Sequence, residues 1–211
     1  MTKFLPIFPL STIVYPGQLL NLHIYEPRYR QLINECKAEN KTFGIPSVIK
    51  DTLSEYGTEM EVLEISKVYP SGEMDIKTKG IKVFRIIEVL REVPQKLYSA
   101  AIVFETENEK YDTLVPNPTL IDLINKLHVV LGTNFKIEEK FQNPLSFDVI
   151  QYCALSPEDQ YRLLTANSEK ARQWFIIEHL QKLIPSIEQT EKVKAKVQMN
   201  GHFRKEIPPK F

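Results

Sequence analysis

The side chains with the greatest chemical reach in this chain are two cysteines, Cys36 and Cys153, and four histidines, His23, His128, His179 and His202. A thiol becomes a nucleophile when a neighbouring base or an electropositive, exposed setting favours the thiolate. Cys36 with His23 is therefore the pair to weigh first. Cys36, however, follows Tyr29, Leu32 and Ile33 at helical spacing, the pattern of an amphipathic helix's buried stripe. Cys153 closes a similar stripe after Leu145, Val149 and Ile150, so both thiols read as small core side chains. His23 lies in an alternating strand, where a hydrogen-bonded imidazole is the usual case. The histidines show no H-x-x-x-H or comparable ligand spacing, so no metal is expected. Glu26 and Arg28 flank Pro27. A carboxylate ahead of a helix is stabilised by the helix dipole, and a planar guanidinium ties carbonyls or carboxylates together. Both read as scaffold. No catalytic, cofactor-binding or metal-binding residue is assigned, and the chain is read as no enzyme.

The elements that position these residues follow from turn chemistry and periodicity. Pro16-Gly17 is a turn. After it Leu20, Leu22 and Ile24 fall on one strand face and Asn21, His23 and Tyr25 on the other. Pro27 suits the first turn of a helix, which the pattern carries to Glu39. In 57–69 the alternation of Met60 and Val62 passes to Leu63 and Ile65, a change of phase that a β-bulge produces. Ser71-Gly72 predicts a hairpin into Met74, Ile76 and Thr78. Gly80 is expected to break that strand before 81–90 resumes it, with Val83 opposed to Phe84 and Ile86. A last strand is expected in 97–105, with Tyr98, Ala100, Ile102 and Phe104 on one face. Strands this close together suggest an antiparallel, barrel-like sheet.

The second half changes to helices. Asn117-Pro118, Asn143-Pro144 and Ser156-Pro157 each place a capping residue before proline at a first helical position, and Asp159 adds a capping-box pattern to the last. Leu120, Ile124, Leu127 and Leu131 form one stripe, closed by Gly132. A longer helix is expected from Asn167 or Ser168, carrying Ala171, Trp174, Ile177 and Leu180, and ending at Pro185. The division is thus a β-rich domain over 1–113, a helical bundle over 114–185 and a charged tail over 186–211, with ETENEKYDT (105–113) as the junction. The fold class is α+β.

Composition narrows the function. Apolar content of 43%, charged content of 26% and a formal net charge of +0 describe an ordinary globular chain with no overall pull toward polyanions. Prolines interrupt the first apolar run, so no signal peptide is read. No segment approaches the roughly 18–20 apolar residues that span a bilayer, and no membrane partner is expected. Two cysteines make no disulfide framework, which places the chain in a reducing cytoplasm. From Glu191 to Phe211 six Lys/Arg face two acidic residues, giving a basic tail that reads as a solvated helix, a mobile arm or a docking segment.

The stretch LPIFPLSTIVYPGQLLNLHIYEPRYRQLI (5–33) resembles the N-terminal substrate-binding domain of the Lon protease family. The matching residues are Phe8, Pro9, Leu10, Pro16, Gly17, His23, Ile24, Glu26, Pro27, Arg28 and Tyr29, with Tyr25 where phenylalanine is commoner. Gly57-Thr58 is similar to a strand start of that family, and Gly80 with Val83, Phe84 and Arg85 to a later strand, although the Arg/Phe order differs. The helices of 148–180 match in layout, so the likeness runs from Phe4 to Pro185. It implies a twisted, PUA-like pseudobarrel followed by a helical bundle. It also implies a role in binding unfolded or extended polypeptides, or in self-association, for a proteolytic machine. Pro9, Pro16, Gly17, His23, Glu26, Pro27, Arg28 and Tyr29 are its fold signature, with no polypeptide-binding residue identified. No G-x-x-x-x-G-K-[ST] loop occurs among 7 glycines, and two cysteines cannot supply the zinc domain of cereblon, a eukaryotic relative. The expectation is a stand-alone recognition module without ATPase or protease domains, with a separate protease or self-association as the alternatives for its partner.

A groove for such a ligand is not outlined by the sequence. Tyr15, Tyr25, Tyr56 and Tyr69 offer amphipathic contacts or serve as core-rim residues. An RNA-binding barrel is the alternative, because small barrels host that role and the tail is basic. It lacks the basic balance and aromatic-plus-arginine motif of such modules, so nucleic acid is disfavoured.

Overall fold

The computed structural model describes residues 1–106 and 115–202, with side chains described as far as 194. The first half is a six-stranded antiparallel sheet: β1 (Thr2–Pro6), β2 (Leu19–Ile24), β3 (Phe43–Ile49), β4 (Thr52–Val68), β5 (Met74–Leu90) and β6 (Ala100–Glu105). The order is β1-β6-β5-β4-β3, with β2 beside the first part of β5. Beyond β1 the chain crosses to β3, where Ile7 and Leu10 bridge in parallel to Gly44 and Ser47. Phe8 N–H donates to the Gly44 carbonyl at 2.8 Å. The two ends of the ladder thus meet, and the sheet curls into the expected barrel.

Register follows the side chains. β4 shifts between Val62 and Glu64, so Leu63 is the extra residue and Ile65 returns to the core face. Leu63 itself is exposed, unlike the expected apolar pair. Gly80 does not break β5, which runs unbroken through it. A Cβ at Gly80 would stand 2.2 Å from the Tyr15 carbonyl oxygen, so glycine is there for close approach. Of the face expected in 97–105, Tyr98 and Ala100 are buried but Ile102 is only half-buried and Phe104 is exposed; in β6 Ala101 and Val103 face the interior with Leu5, Ile7 and Phe84. The sequence assigned no strand to 43–49. Pro46 interrupts the pattern there but is tolerated because β3 ends the ladder order and carries a bulge between Pro46 and Val48.

Helix α1 (Pro27–Glu39) lies as expected, burying Tyr29, Leu32, Ile33 and Cys36 against Phe43, Met60, Met74 and Ile76. The second half holds α2 (Pro118–Val130), α3 (Ser146–Val149) running into a 3₁₀ turn over Ile150–Tyr152, α4 (Pro157–Thr165) and α5 (Glu169–His202). Asn117 and Ser156 cap α2 and α4 by accepting from Thr119 and Asp159 N–H. Asn143-Pro144 does not start α3. The helix begins at Ser146, whose N–H and hydroxyl both donate to the buried Glu169 carboxylate at 2.7 Å. Helix α5 does not stop at Pro185 but continues to His202. Among its described residues the buried side chains are Glu169, Gln173, Ile176, Ile177, Leu180 and Ile184, while Ala171 and Trp174 face solvent. Leu131, too, is exposed. Of the expected junction only Glu105 and Thr106 are described, and residues 203–211 of the tail lie outside the described residues. Ile13, Tyr15 and Val83 of the β half sit in the same apolar cluster as Leu120, Ile124 and Leu180. The chain is therefore α+β with a core shared across the seam.

Candidate functional site

At the first turn, Gly17 takes φ +84°, a region that favours glycine. Gly17 and Gly80 exchange the turn with β5: Gly17 N–H donates to the Gly80 carbonyl, and Gly80 N–H to that of Gln18, both at 2.9 Å. Pro16 is buried beside it. At the end of β2, His23 places Nδ1 2.7 Å from Asp75 Oδ1, and Tyr69 donates to the other Asp75 oxygen at 2.7 Å. The Asp75 hydrogen bond outweighs desolvation and raises the His23 pKa.

Glu26 holds the N-cap position of α1 but its carboxylate makes no cap bond. It accepts instead from Arg28, Nε at 2.8 Å and Nη2 at 2.7 Å. The Arg28 guanidinium lies 4.6 Å over the Tyr29 ring, and that ring stacks on Phe8 at 3.9 Å, next to the half-buried Pro9. Arg30 reaches across to the Ser71 carbonyl in the β4–β5 turn at 2.8 Å. The motif thus joins the β1 exit, β2, α1 and the hairpin at one corner. The arrangement holds chain segments together, and no nucleophile, base and acid converge in it.

The structure separates the thiol from the imidazole. Cys36 lies in the core under α1, 4% exposed, whereas His23 engages Asp75 on the outer face of β2. Burial, with Glu35 and Glu39 nearby, pushes the Cys36 thiol up to about 12. Burial does the same for Cys153. His128 meets Thr133 Oγ1 at 3.0 Å and His179 meets the Cys153 carbonyl at 3.1 Å. Among the described residues no three His, Cys, Asp or Glu side chains group as metal ligands, and no helix is long and apolar enough to cross a membrane.

The four tyrosines do not make one surface. Tyr15 is buried at the seam, stacked on Phe147 at 5.2 Å, and Tyr56 donates its N–H to the Tyr161 hydroxyl there at 3.1 Å. Tyr25 and Tyr69 instead flank His23.

Among the described residues, two of the concavities lie on the barrel wall. The larger, about 760 Å³, opens between β4 and β5 and is lined by Leu53, Ile86, Ile87, Val89 and Phe104, with Glu55, Arg85 and Glu88 at its sides. Arg85 pairs with Glu55 at 3.1 Å. The second, about 570 Å³, lies between β1 and the turn from α1 to β3. Its charges are already matched: Glu35 takes Lys96 at 2.8 Å and the Tyr98 hydroxyl at 2.5 Å. Behind it Lys3 bridges Glu59 and Glu105, and Lys82 also reaches both. Sequence reasoning found neither concavity. The one signal for the larger was the adjacent pair Ile86-Ile87, which an alternating strand accommodates only by placing one outside.

Residues 4–182 match the model of the ATP-dependent protease La (LON) substrate-binding domain. The chain is 26% identical over 216 residues to the Lon protease of Flavobacterium johnsoniae, covering 93% of this chain and 26% of that protein. It is 26% identical over 187 residues to the Lon protease of Syntrophus aciditrophicus, covering 78% and 23%. The chain thus spans about a quarter of the length of these relatives. Among solved structures, the fold resembles a Lon N-terminal domain protein from Xanthomonas campestris, with TM-score 0.64 and 21% identity, over 87% of this chain and 99% of that one. It also resembles the N-terminal domain of Mycobacterium avium complex Lon protease, with TM-score 0.55 and 15% identity, over 86% and 100%.

Proposed function

This chain belongs to the ATP-dependent protease La (LON) substrate-binding domain family, and on that premise we propose that it recognises polypeptides without chemistry of its own. The observation that carries the reading is the family match across 4–182. Two features support it. Cys36 and Cys153 are buried with thiols pushed up to about 12, the opposite of what an attacking thiolate needs. The β half also presents an open cleft bounded by strands, the kind of surface that captures extended chains. In this reading the module works in the cytoplasm, delivers unfolded or extended segments to a separate protease, and serves quality control. Self-association belongs to the same proposal.

The test is direct binding to an unfolded protein. A reduced, carboxymethylated globular protein should be retained by immobilised chain, and the same protein in its native state should not. Equal retention of both forms, or of neither, would sink the proposal.

A further inference from the structure

On its β4 side, the pairing of β5 stops short of the strand's end. β4 follows β5 from Val68↔Met74 to Tyr56↔Arg85 and then leaves it. Beyond that point Leu53 and Thr52 pair with Val48 and Ile49 of β3, while Glu88, Val89 and Leu90 pair along β6. The two strands part in a V, and the larger cleft lies in its mouth. Thr52 and Leu53 keep β3 on their outer side and Glu88, Val89 and Leu90 keep β6, whereas Ser54, Glu55 and Ile87 fall at register shifts and have no ladder partner on either side among the described residues. The sides of Leu53–Glu55 and Ile87–Val89 that face each other have no ladder partner among the described residues. A strand directs backbone N–H and C=O groups alternately to both sides, so the V presents two strand edges across an apolar gap.

We propose that this V receives an extended stretch of another polypeptide as an added strand, with apolar side chains at alternate positions and a basic side chain directed at Glu88. The proposal rests on the polypeptide-binding reading above and deepens it by naming place, conformation and side-chain class. Backbone geometry selects the occupant. Paired strand edges ask for donors and acceptors repeating at about 3.3 Å per residue, which an extended chain supplies whatever its sequence. Side chains then select its composition. Ile87 is 57% exposed, Phe104 46% and Val89 36%, and these neighbours on one cleft favour apolar contacts over single scattered ones. Charge adds the last element. Glu55 is matched by Arg85, whereas Glu88 has no ion-pair partner among the described residues, leaving two carboxylates against one guanidinium in the lining. Recognition of this kind is weak and tolerant of sequence, as suits a chain that takes many unfolded partners.

The probe is a short fluorescein-labelled peptide alternating valine with threonine around one lysine, read by anisotropy. Its partner is the same peptide N-methylated at every second residue, which removes the donors of one edge. Saturable binding of the first and loss of binding for the second on wild-type protein are expected. Ile87→Lys should weaken binding roughly tenfold or more, as for a central contact residue, and Glu88→Gln should weaken it less and reduce its salt dependence. If the N-methylated peptide binds equally well, the strand-addition proposal is wrong, whatever the variants do. If Ile87→Lys leaves peptide binding intact while the unfolded protein is still retained, recognition lies elsewhere and the family-level reading survives alone. If neither probe binds, both fall. A dimer in the wild type that Ile87→Lys converts to monomer, with no peptide effect, would make a second copy the occupant and overturn the proposal.

Discussion

A thiol under a helix and a carboxylate beside two lysines give residue-scale tests that need no ligand. Cys36 and Cys153 sit in apolar surroundings that disfavour the thiolate. Ellman's reagent at pH 8 should therefore label neither cysteine in the native chain and both after unfolding. Rapid native labelling of Cys36 would reopen a catalytic reading. Glu105 is held down to about 2, first by the hydrogen bond from Lys82 and then by that from Lys3. Its pKa in the unfolded chain is about 4.3, so the folded state binds this proton less readily. The contribution is complete above about pH 5 and is lost as pH falls toward 2. Urea midpoints across that range should fall more steeply for wild type than for Glu105→Gln, and parallel curves would contradict the pairing. Gly80→Ala makes the third test. Its methyl group would stand 2.2 Å from a backbone carbonyl, which only a shift of the turn relieves, at about 1–3 kcal/mol. A urea titration with unchanged midpoint would refute that packing.

Elements show which parts of the fold local chemistry announces. The bulge after Val62, the Ser71-Gly72 hairpin, α1 over Pro27–Glu39 and the caps at Asn117 and Ser156 follow from short-range rules, and the structure contains each. The elements that sequence alone missed depend on distant partners. β3 exists because Ile7–Leu10 and β4 flank it on two sides, and no local pattern reports that. The start of α3 at Ser146 depends on Glu169, 23 residues away. The cleft was illegible for the same reason, since strand divergence is a property of pairing. Helix α5 adds a case where a strong local rule loses. Proline in a helix interior removes one hydrogen bond and crowds the carbonyl four residues back, yet α5 continues through Pro185. The next buried side chain inward, Ile184 at 1% exposure, shows the helix still packed there. Pro185→Ala should therefore raise stability, by up to about 3 kcal/mol, with more helical dichroism. A lower melting temperature would mean that the proline shapes a bend the packing requires.

At the scale of the whole molecule, the question is whether barrel and bundle are two units or one. The connecting sequence suggests two, but the seam argues for a single cooperative structure. Tyr15 is 3% exposed, stacks on Phe147 and donates its hydroxyl to the Gln160 carbonyl at 3.3 Å. Lys50, in the turn between β3 and β4, pairs with Glu158 of α4 at 2.8 Å, although such an exposed pair adds little. Ile13, Tyr15 and Val83 enter the cluster that α2 and α5 build, so opening the seam would expose apolar surface on both sides. The residue before the family's Pro-Gly turn thus anchors the helical half, which gives the opening motif a structural role beyond its own corner. Trp174, the only tryptophan in the chain, reports on α5, while exchange of β5 amides reports on the barrel. In wild type both probes should give one midpoint in urea. Tyr15→Ala should cost about 3–5 kcal/mol, the range for removing a buried aromatic ring, and should separate the two midpoints, the Trp174 signal moving first. Two separate midpoints already present in wild type would show that the shared core does not couple the halves. The cleft between β4 and β5 would then have to be treated as part of a barrel that is stable alone.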